Sequence, residues 1–285
     1  MRYRQRIQVK TPDQLARMRK AGLVVAHTLE VLRDAVRPGI STKELDEIAG
    51  ATIRSEGGVP SFLGYMGYPA TICTSVNEEI VHGIPDPGRV LRSGDIISID
   101  CGAIVDGWHG DAALTVGVGD IDPADQALLD DCRAALWAGI AQATAGHRLS
   151  DISHAVERSV RESGNYGLIR EYTGHGIGTE MHMDPAVPNY GPPGRGPRLR
   201  AGMALAIEPM ITRGTRMNSE LADGWTVVTA DGSRAAHFEH TVAITPDGPW
   251  VLTATEDLHP ERIDASPQRQ PSPAAPHTGQ ASDAR

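Results

Sequence analysis

The feature that most constrains this sequence is that its pattern is written twice. LRSGDIISID over residues 91–100 returns as LRAGMALAIE over residues 199–208, with Leu, Arg, Gly and Ile in register and a carboxylate, Asp100 or Glu208, closing each segment. Upstream, Thr11-Pro12 and Asp122-Pro123 each set a capping side chain and a first-turn proline before a long amphipathic stretch. The first stretch runs to the Pro38-Gly39 break and the second to about Ala145-Gly146. Ser41 and Ser150 then each open a shorter helix, ending near Gly57-Gly58 and Gly164. With a gap allowed, VHGIP at 81–85 echoes GHGIG at 174–178, and GDAALTV at 110–116 resembles FEHTVAI at 238–244. A chain duplicated in this order is expected to build an α+β fold from two related αβ halves. Their strands meet as one curved antiparallel sheet, and the helices cover it from outside. The halves are expected at about 11–121 and 122–255, after an N-terminal lead over 1–10.

The ends and the composition narrow the setting. From Glu261 onward the chain is rich in Pro, Ala, Ser and Gln, with Ile263 its one large aliphatic residue, so 256–285 is expected to be a disordered tail. The chain carries 36 acidic against 27 basic side chains, a net charge of −9, which argues against binding nucleic acid by phosphate neutralisation. Three cysteines, Cys73, Cys101 and Cys132, are too few for a disulfide framework and read as small apolar residues. The start MRYRQRIQVK has no apolar run behind it, and AGLVVA and MALAI are too short to span a bilayer. The expectation is a reduced, cytoplasmic protein that binds no membrane.

Within this frame the carboxylates stand out. Asp106-Gly107 is a strong two-residue turn signal inside 95–116, and folding the segment there sets Val105 against Trp108, Gly102 against Asp111 and Asp100 against Ala113. Alternation then places Asp100 and Asp111 on one face as diagonal neighbours, with α-carbons roughly 7–8 Å apart. Their sequence surroundings (Ile96, Ile97, Ile99, Leu114, Val116) are apolar, and a buried carboxylate without a counter-ion protonates or is avoided. The second half repeats the arrangement with Glu208 and Glu239. His175, between Gly174 and Gly176, offers an imidazole on a backbone free to approach closely. Four carboxylates balance two divalent cations, and oxygen ligation with one nitrogen suits Mn, Fe, Co or Zn. Such a pair, about 3.5–4 Å apart, lowers the pKa of a shared water beside a polarised carbonyl. His82 and His182 lie near this machinery without being needed for charge balance, and either could hydrogen-bond a substrate carbonyl or leaving nitrogen.

One histidine among eleven is ordinarily a surface or satisfied core residue, and a lone Asp at a strand end is usually a turn residue. Four carboxylates in apolar strands, two per half, have no such explanation, because an apolar core would pack better without them. HExxH, GxSxG, P-loop and CxxC patterns are absent from the sequence.

The contexts SIDCG, HGDAALT, TGHGIG, IEPM and FEHT, carrying Asp100, Asp111, His175, Glu208 and Glu239, resemble the metal-ligand set of the methionine aminopeptidases, more narrowly the type I bacterial form. The resemblance spans about residues 5–255 and implies the pita-bread fold and removal of the initiator methionine from nascent chains. It implies that Asp111 and Glu239 bridge two metals, with Asp100 on one ion and His175 and Glu208 on the other. Glu208 would also shuttle the proton, His82 would meet the scissile peptide, and His182 would support the oxyanion. Phe62, Tyr65, Tyr68, Cys73, Met181 and Trp225 would line the methionine pocket. Met66 stands where many members carry histidine, Phe62 where cysteine is frequent, and Met181 where phenylalanine is frequent. Thirty residues between Glu208 and Glu239 leave no room for the helical insert of type II enzymes.

The expected activity is therefore a metallo-exopeptidase acting after an N-terminal Met when the second residue is small, working as a monomer near the ribosome. An Xaa-Pro aminopeptidase or dipeptidase on the same fold is the nearest alternative, although those enzymes usually carry a large extra N-terminal domain. A non-catalytic binding protein of that fold would show a missing ligand or basic insertions, and the sequence has neither.

Overall fold

Each helix begins at a side chain that stands in for the missing preceding turn. In α1 (Pro12–Ala35) the Thr11 hydroxyl accepts from the Gln14 amide while the Gln14 side chain accepts from the Thr11 amide, closing the expected box. Ser41 and Glu44 do the same for α2 (Thr42–Ser55), and Asp122 caps α3 (Pro123–Ala141) through the Ala124 amide. Two boundaries differ from expectation. α3 stops at Ala141 rather than near Ala145, because Gly146 donates to the Leu199 carbonyl and Leu199 to that of His147, drawing the chain into pairing. α4 (Leu149–Ser163) is capped at Arg148, not Ser150: the Asp151 carboxylate accepts from the Arg148 amide at 2.7 Å, while the Ser150 hydroxyl accepts from Arg195. The halves still correspond here, since Ser41 bridges to Val90 and Arg148 to Arg198, each cap pinned to the segment ahead of its Leu-Arg repeat.

The computed structural model describes residues 7–255. Most of the N-terminal lead and the whole 256–285 tail lie outside the described residues. After α2 come β1 (Val59–Pro60), β2 (Ile72–Val76), β3 (Glu79–Val81), β4 (Ile96–Val105) and β5 (Trp108–Gly117). After α4 come β6 (Gly167–Leu168), β7 (Gly174–Gly176), β8 (Met183–Val187), β9 (Ala204–Ile207), β10 (Met210–Thr212), β11 (Asn218–Glu220), β12 (Val227–Thr229), β13 (Ala235–His237), β14 (Glu239–Thr245) and β15 (Gly248–Val251). The main sheet is nine-stranded and antiparallel, in the order β1-β4-β5-β14-β9-β7-β8, with β2 on β4 and β15 on β14. Two three-stranded sheets, β13-β10-β6 and β11-β12-β3, accompany it.

The seam between the halves is the pairing of β5 with β14, where Glu239 lies opposite Ala113 and His240 opposite Ala112. On one side α1 and α2 pack Val25, Leu29, Leu32 and Ile53 against Ile97, Ile99 and Cys101 of β4. On the other, Leu136, Ile140 and Ile152 of α3 and α4 pack against Leu205, Ile207 and Val242. Since strand side chains alternate, the odd-numbered residues of β4 serve the helical core, and Ser98, Asp100 and Gly102 are left to the opposite face. Among the described residues no helix is long and apolar enough to cross a membrane.

One echo fails structurally. The glycine-flanked His175 lies on β7 opposite Ala206 of β9, the place that Ser75 of β2 holds opposite Ser98 of β4. His82 follows β3 in a separate sheet. VHGIP and GHGIG are alike without being equivalent.

Candidate metal centre

The β4–β5 hairpin has the expected register: Val105 meets Trp108, Gly102 meets Asp111 and Asp100 meets Ala113. Asp100 and Asp111 therefore share a face. Across the seam Glu239 begins β14, and Glu208 follows β9, where Pro209 ends the strand. The Asn189 side chain holds the Glu208 carbonyl at 3.0 Å. His175 reaches this group because β7 is squeezed between two strands: a β-carbon on Gly174 would lie 2.2 Å from the Ala206 carbonyl oxygen, and one on Gly176 2.2 Å from that of Asp184. Only glycine fits at either place.

All the expected site residues line one cavity of about 190 Å³, and Met66 stands at it as well. Phe62, Tyr68, Cys73 and Met181 form its buried apolar wall, with Tyr65 and Trp225 packed against them. Tyr68 and Trp225 meet edge to face at 5.0 Å. Met66 is 82% exposed, held at φ 49° between Gly64 and Gly67. His182 bonds the Tyr65 hydroxyl at 2.9 Å, and its ring centroid lies 4.3 Å from that of His175. His82, itself at φ 61°, stands edge-on to Tyr172 and Trp225. A larger cavity, about 350 Å³, opens between α1 and α3 around Trp137 and Phe238, but it lacks the clustered carboxylates and is not where chemistry would gather.

The electrostatics of the small cavity are unfavourable as they stand. Burial pushes the Asp100 carboxyl up to about 7. Burial, then repulsion from the neighbouring acids, pushes Asp111, Glu208 and Glu239 well above the carboxylate range. Burial first, then the nearby His182, lowers His175 to about 3, so its imidazole is neutral. Its Nδ1 lies 2.9 Å from the Gly176 carbonyl, which can only accept, so Nδ1 carries the hydrogen. Nε2 consequently aims a lone pair at carboxylate oxygens, 3.6 Å from Glu208 Oε1 and 3.9 Å from Asp111 Oδ2. A lone pair facing anions repels them unless a cation lies between. Asp100 Oδ1, Asp111 Oδ1 and Glu239 Oε1 are buried with no hydrogen-bond partner among the described residues. This donor set fits divalent metal, and Asp111, His175 and Glu239 bring ligand atoms within 4.8 Å of one another.

Comparison with known proteins decides the kinship. The profile of metallopeptidase family M24 matches residues 16–246. The chain belongs to that family. It is 54% identical to methionine aminopeptidase 1 of Mycobacterium tuberculosis over 258 residues, covering 89% of this chain and 97% of the relative. The crystal structure of methionine aminopeptidase from Thermotoga maritima superposes with a TM-score of 0.85 at 44% identity, over 87% of this chain and 99% of that one. Within M24, then, the chain belongs with the methionine aminopeptidases of the bacterial type, and its architecture is their pita-bread fold. Prolidase from Pyrococcus furiosus shares the fold alone: TM-score 0.68, 21% identity, with only 66% of that chain covered. As an M24 metallopeptidase, the protein uses divalent metal.

One polar side chain in this group escaped the sequence reading. His237, at the end of β13, is 1% exposed, with Nε2 3.8 Å from Glu208 Oε2 and 4.0 Å from Glu239 Oε2. The signal was present: His109-Gly110-Asp111 and His237-Phe238-Glu239 each put a histidine two residues ahead of the acid. His109 bonds Ser61, and neither His109 nor His237 is among the residues lining the cavity.

Proposed function

We propose that this protein removes the N-terminal methionine from nascent polypeptides when the second residue is small, with two divalent ions (Mn, Fe, Co or Zn) in the acidic cavity. The observation that carries the reading is the convergence of four carboxylates, Asp111 and Glu239 buried and Asp100 and Glu208 partly so, with one lone-pair-bearing imidazole at a cavity of about 190 Å³ whose other wall is apolar, room for a single thioether side chain. Asp111 and Glu239 would hold both ions, Asp100 one, and His175 and Glu208 the other. Bound there, the ions supply Lewis acidity, which makes water nucleophilic at neutral pH and polarises a carbonyl.

The rest falls to this chain's own residues. Phe62, Tyr65, Tyr68, Cys73, Met181 and Trp225 would grip the methionine side chain and exclude water from it. Burial lowers His82 to about 4 and lowers His182 as well, so both are neutral near pH 7 and able to donate one hydrogen bond. His82 would meet the scissile peptide and His182 its carbonyl oxygen, the Tyr65 hydroxyl fixing the ring of the latter. Glu208, whose carboxyl is raised, would take up a proton and hand it to the leaving amine. The protein would work as a cytoplasmic monomer near the ribosome, reading peptide rather than RNA.

Purified protein supplied with Mn or Co should release methionine from Met-Ala and Met-Gly peptides and leave Met-Arg peptides intact. Efficient release of a residue preceding proline, with Met-Ala untouched, would overturn the reading in favour of the Xaa-Pro enzymes.

A further inference from the structure

The geometry points to Lys10 as a positioning residue for catalysis, its buried ammonium holding the loop that carries His182. The inference goes beyond the function proposed above and rests on it for the role of His182. Residues 7–10 form a strap ahead of α1. Ile7 packs on the core of the second half, and the Lys10 amide donates to the Gly202 carbonyl at 2.7 Å. From that anchored backbone the Lys10 side chain reaches the loop between β7 and β8, where Nζ donates to the Ile177 carbonyl. Gln8 makes the neighbouring tie, its Nε2 donating to the Thr179 hydroxyl at 2.9 Å. Strap and loop touch so closely that a β-carbon on Gly178 would lie 2.1 Å from Gln8 Oε1 and 2.7 Å from Lys10 Cε.

Packing alone does not account for a lysine here. Lys10 is 5% exposed, and burial lowers its pKa to about 8, which leaves it charged near pH 7. An apolar side chain would fill the same space without the cost of taking an ammonium out of water. What the ammonium supplies is a charge-assisted hydrogen bond to the loop backbone, between His175 and His182 in the chain. Met181, on the same loop, is fixed independently, because it is buried among Phe62, Tyr68 and Cys73. His182 is exposed, and apart from the Tyr65 hydroxyl its ring stands where the loop backbone puts it. A loop released from the ammonium would keep the methionine pocket and lose the alignment of the imidazole with the substrate carbonyl.

The test is a double-mutant cycle on the full chain loaded with Co(II), read as kcat and KM on Met-Ala peptides. Lys10→Met keeps the apolar stem and should lower kcat about tenfold, with KM and metal content unchanged. His182→Ala should lower kcat about 10²-fold. In the His182→Ala background, Lys10→Met should cost less than about twofold more, because the group it positions is gone. A lysine that serves structure alone would cost the same factor in both backgrounds, and that result overturns the proposal. So does a folded Lys10→Met with unaltered kcat. If Lys10→Met fails to fold, Thr179→Ala, which opens the Gln8 tie, carries the cycle. It should lower kcat about threefold with His182 present and not at all without it, and any other pattern overturns the proposal. Full turnover in His182→Ala would instead sink the role given to His182, a failure distinct from that of Lys10.

Discussion

At the scale of single residues, a buried acid is tolerable only for what neutralises it. Asp111 and Glu239 are 4% and 2% exposed and bring ligand atoms within 4.8 Å of each other across the seam between the halves, where Glu239 pairs with Ala113. Asp111→Asn keeps the shape and removes one charge. Changing an outer partner of a metal ligand commonly costs about 10–100-fold, so loss of the acid itself should cost about 100-fold or more in both metal affinity and peptide turnover. Metal analysis and cleavage of Met-Ala on the same sample check that the two fall together. His82→Ala should separate them, because the imidazole packs on Tyr172 and Trp225 rather than among the acids. Turnover should fall about 10²–10³-fold with bound metal unchanged. Metal lost from that variant would show that His82 is not a substrate-facing group.

At the scale of elements, the site is held by close contacts between backbones. Helix α1 crosses β5 where Gly22 meets Gly110: a β-carbon on Gly110 would lie 2.7 Å from the Gly22 nitrogen, and one on Gly22 2.0 Å from the Leu252 carbonyl oxygen. Gly22→Ala must push α1 off the Leu252–Thr253 backbone. Overpacking usually costs about 1–3 kcal/mol, and a backbone clash this close should reach the upper end, about 3 kcal/mol, read from urea unfolding. Ser41→Ala, which opens one cap of α2, should cost only about 1 kcal/mol. Elements like these show what the sequence discloses and what it withholds. Caps, the Asp106-Gly107 turn and the hairpin register are local rules, and they were legible together with the five expected ligands lining one cavity. The Arg148 cap was not, because the pairing of 146–149 with 197–199 outbids the local Ser150 signal. The kinship of VHGIP with GHGIG was misleading for a similar reason: which strand a motif joins depends on partners far away in the chain. His237 went unread because one histidine says nothing until the fold turns its ring toward Glu208.

At the scale of the whole molecule, the halves are joined through a centre that destabilises the fold when no cation is bound. Asp100, Asp111, Glu208 and Glu239 all have raised pKa values, so the folded protein holds protons there that the unfolded chain, with ordinary acids, releases. Their ionisation penalises the fold above the raised values, and the penalty eases as pH falls. Buried histidines act in the opposite sense. His175 and His237, lowered to about 3, and His82, His109 and His240, lowered to about 4, stay neutral in the fold, whereas the unfolded chain protonates them near 6.5. Stability is therefore lost on their account as pH falls through 6.5. Burial also lowers Lys10 to about 8, and it contributes change chiefly above that value. Between about pH 8 and 6.5 the acids dominate. One extra proton held over that interval is worth about 2 kcal/mol, so chelator-stripped protein should melt about 5 °C higher at pH 6.5 than at pH 8. Loaded protein should show the reverse slope, because cations require the acids ionised and protons compete with them. Calorimetric scans of both forms at the two pH values check this. A stripped form that melts lower at pH 6.5 would mean that the acids are not crowded in the fold, and the case for a cation among them would lose its physical basis.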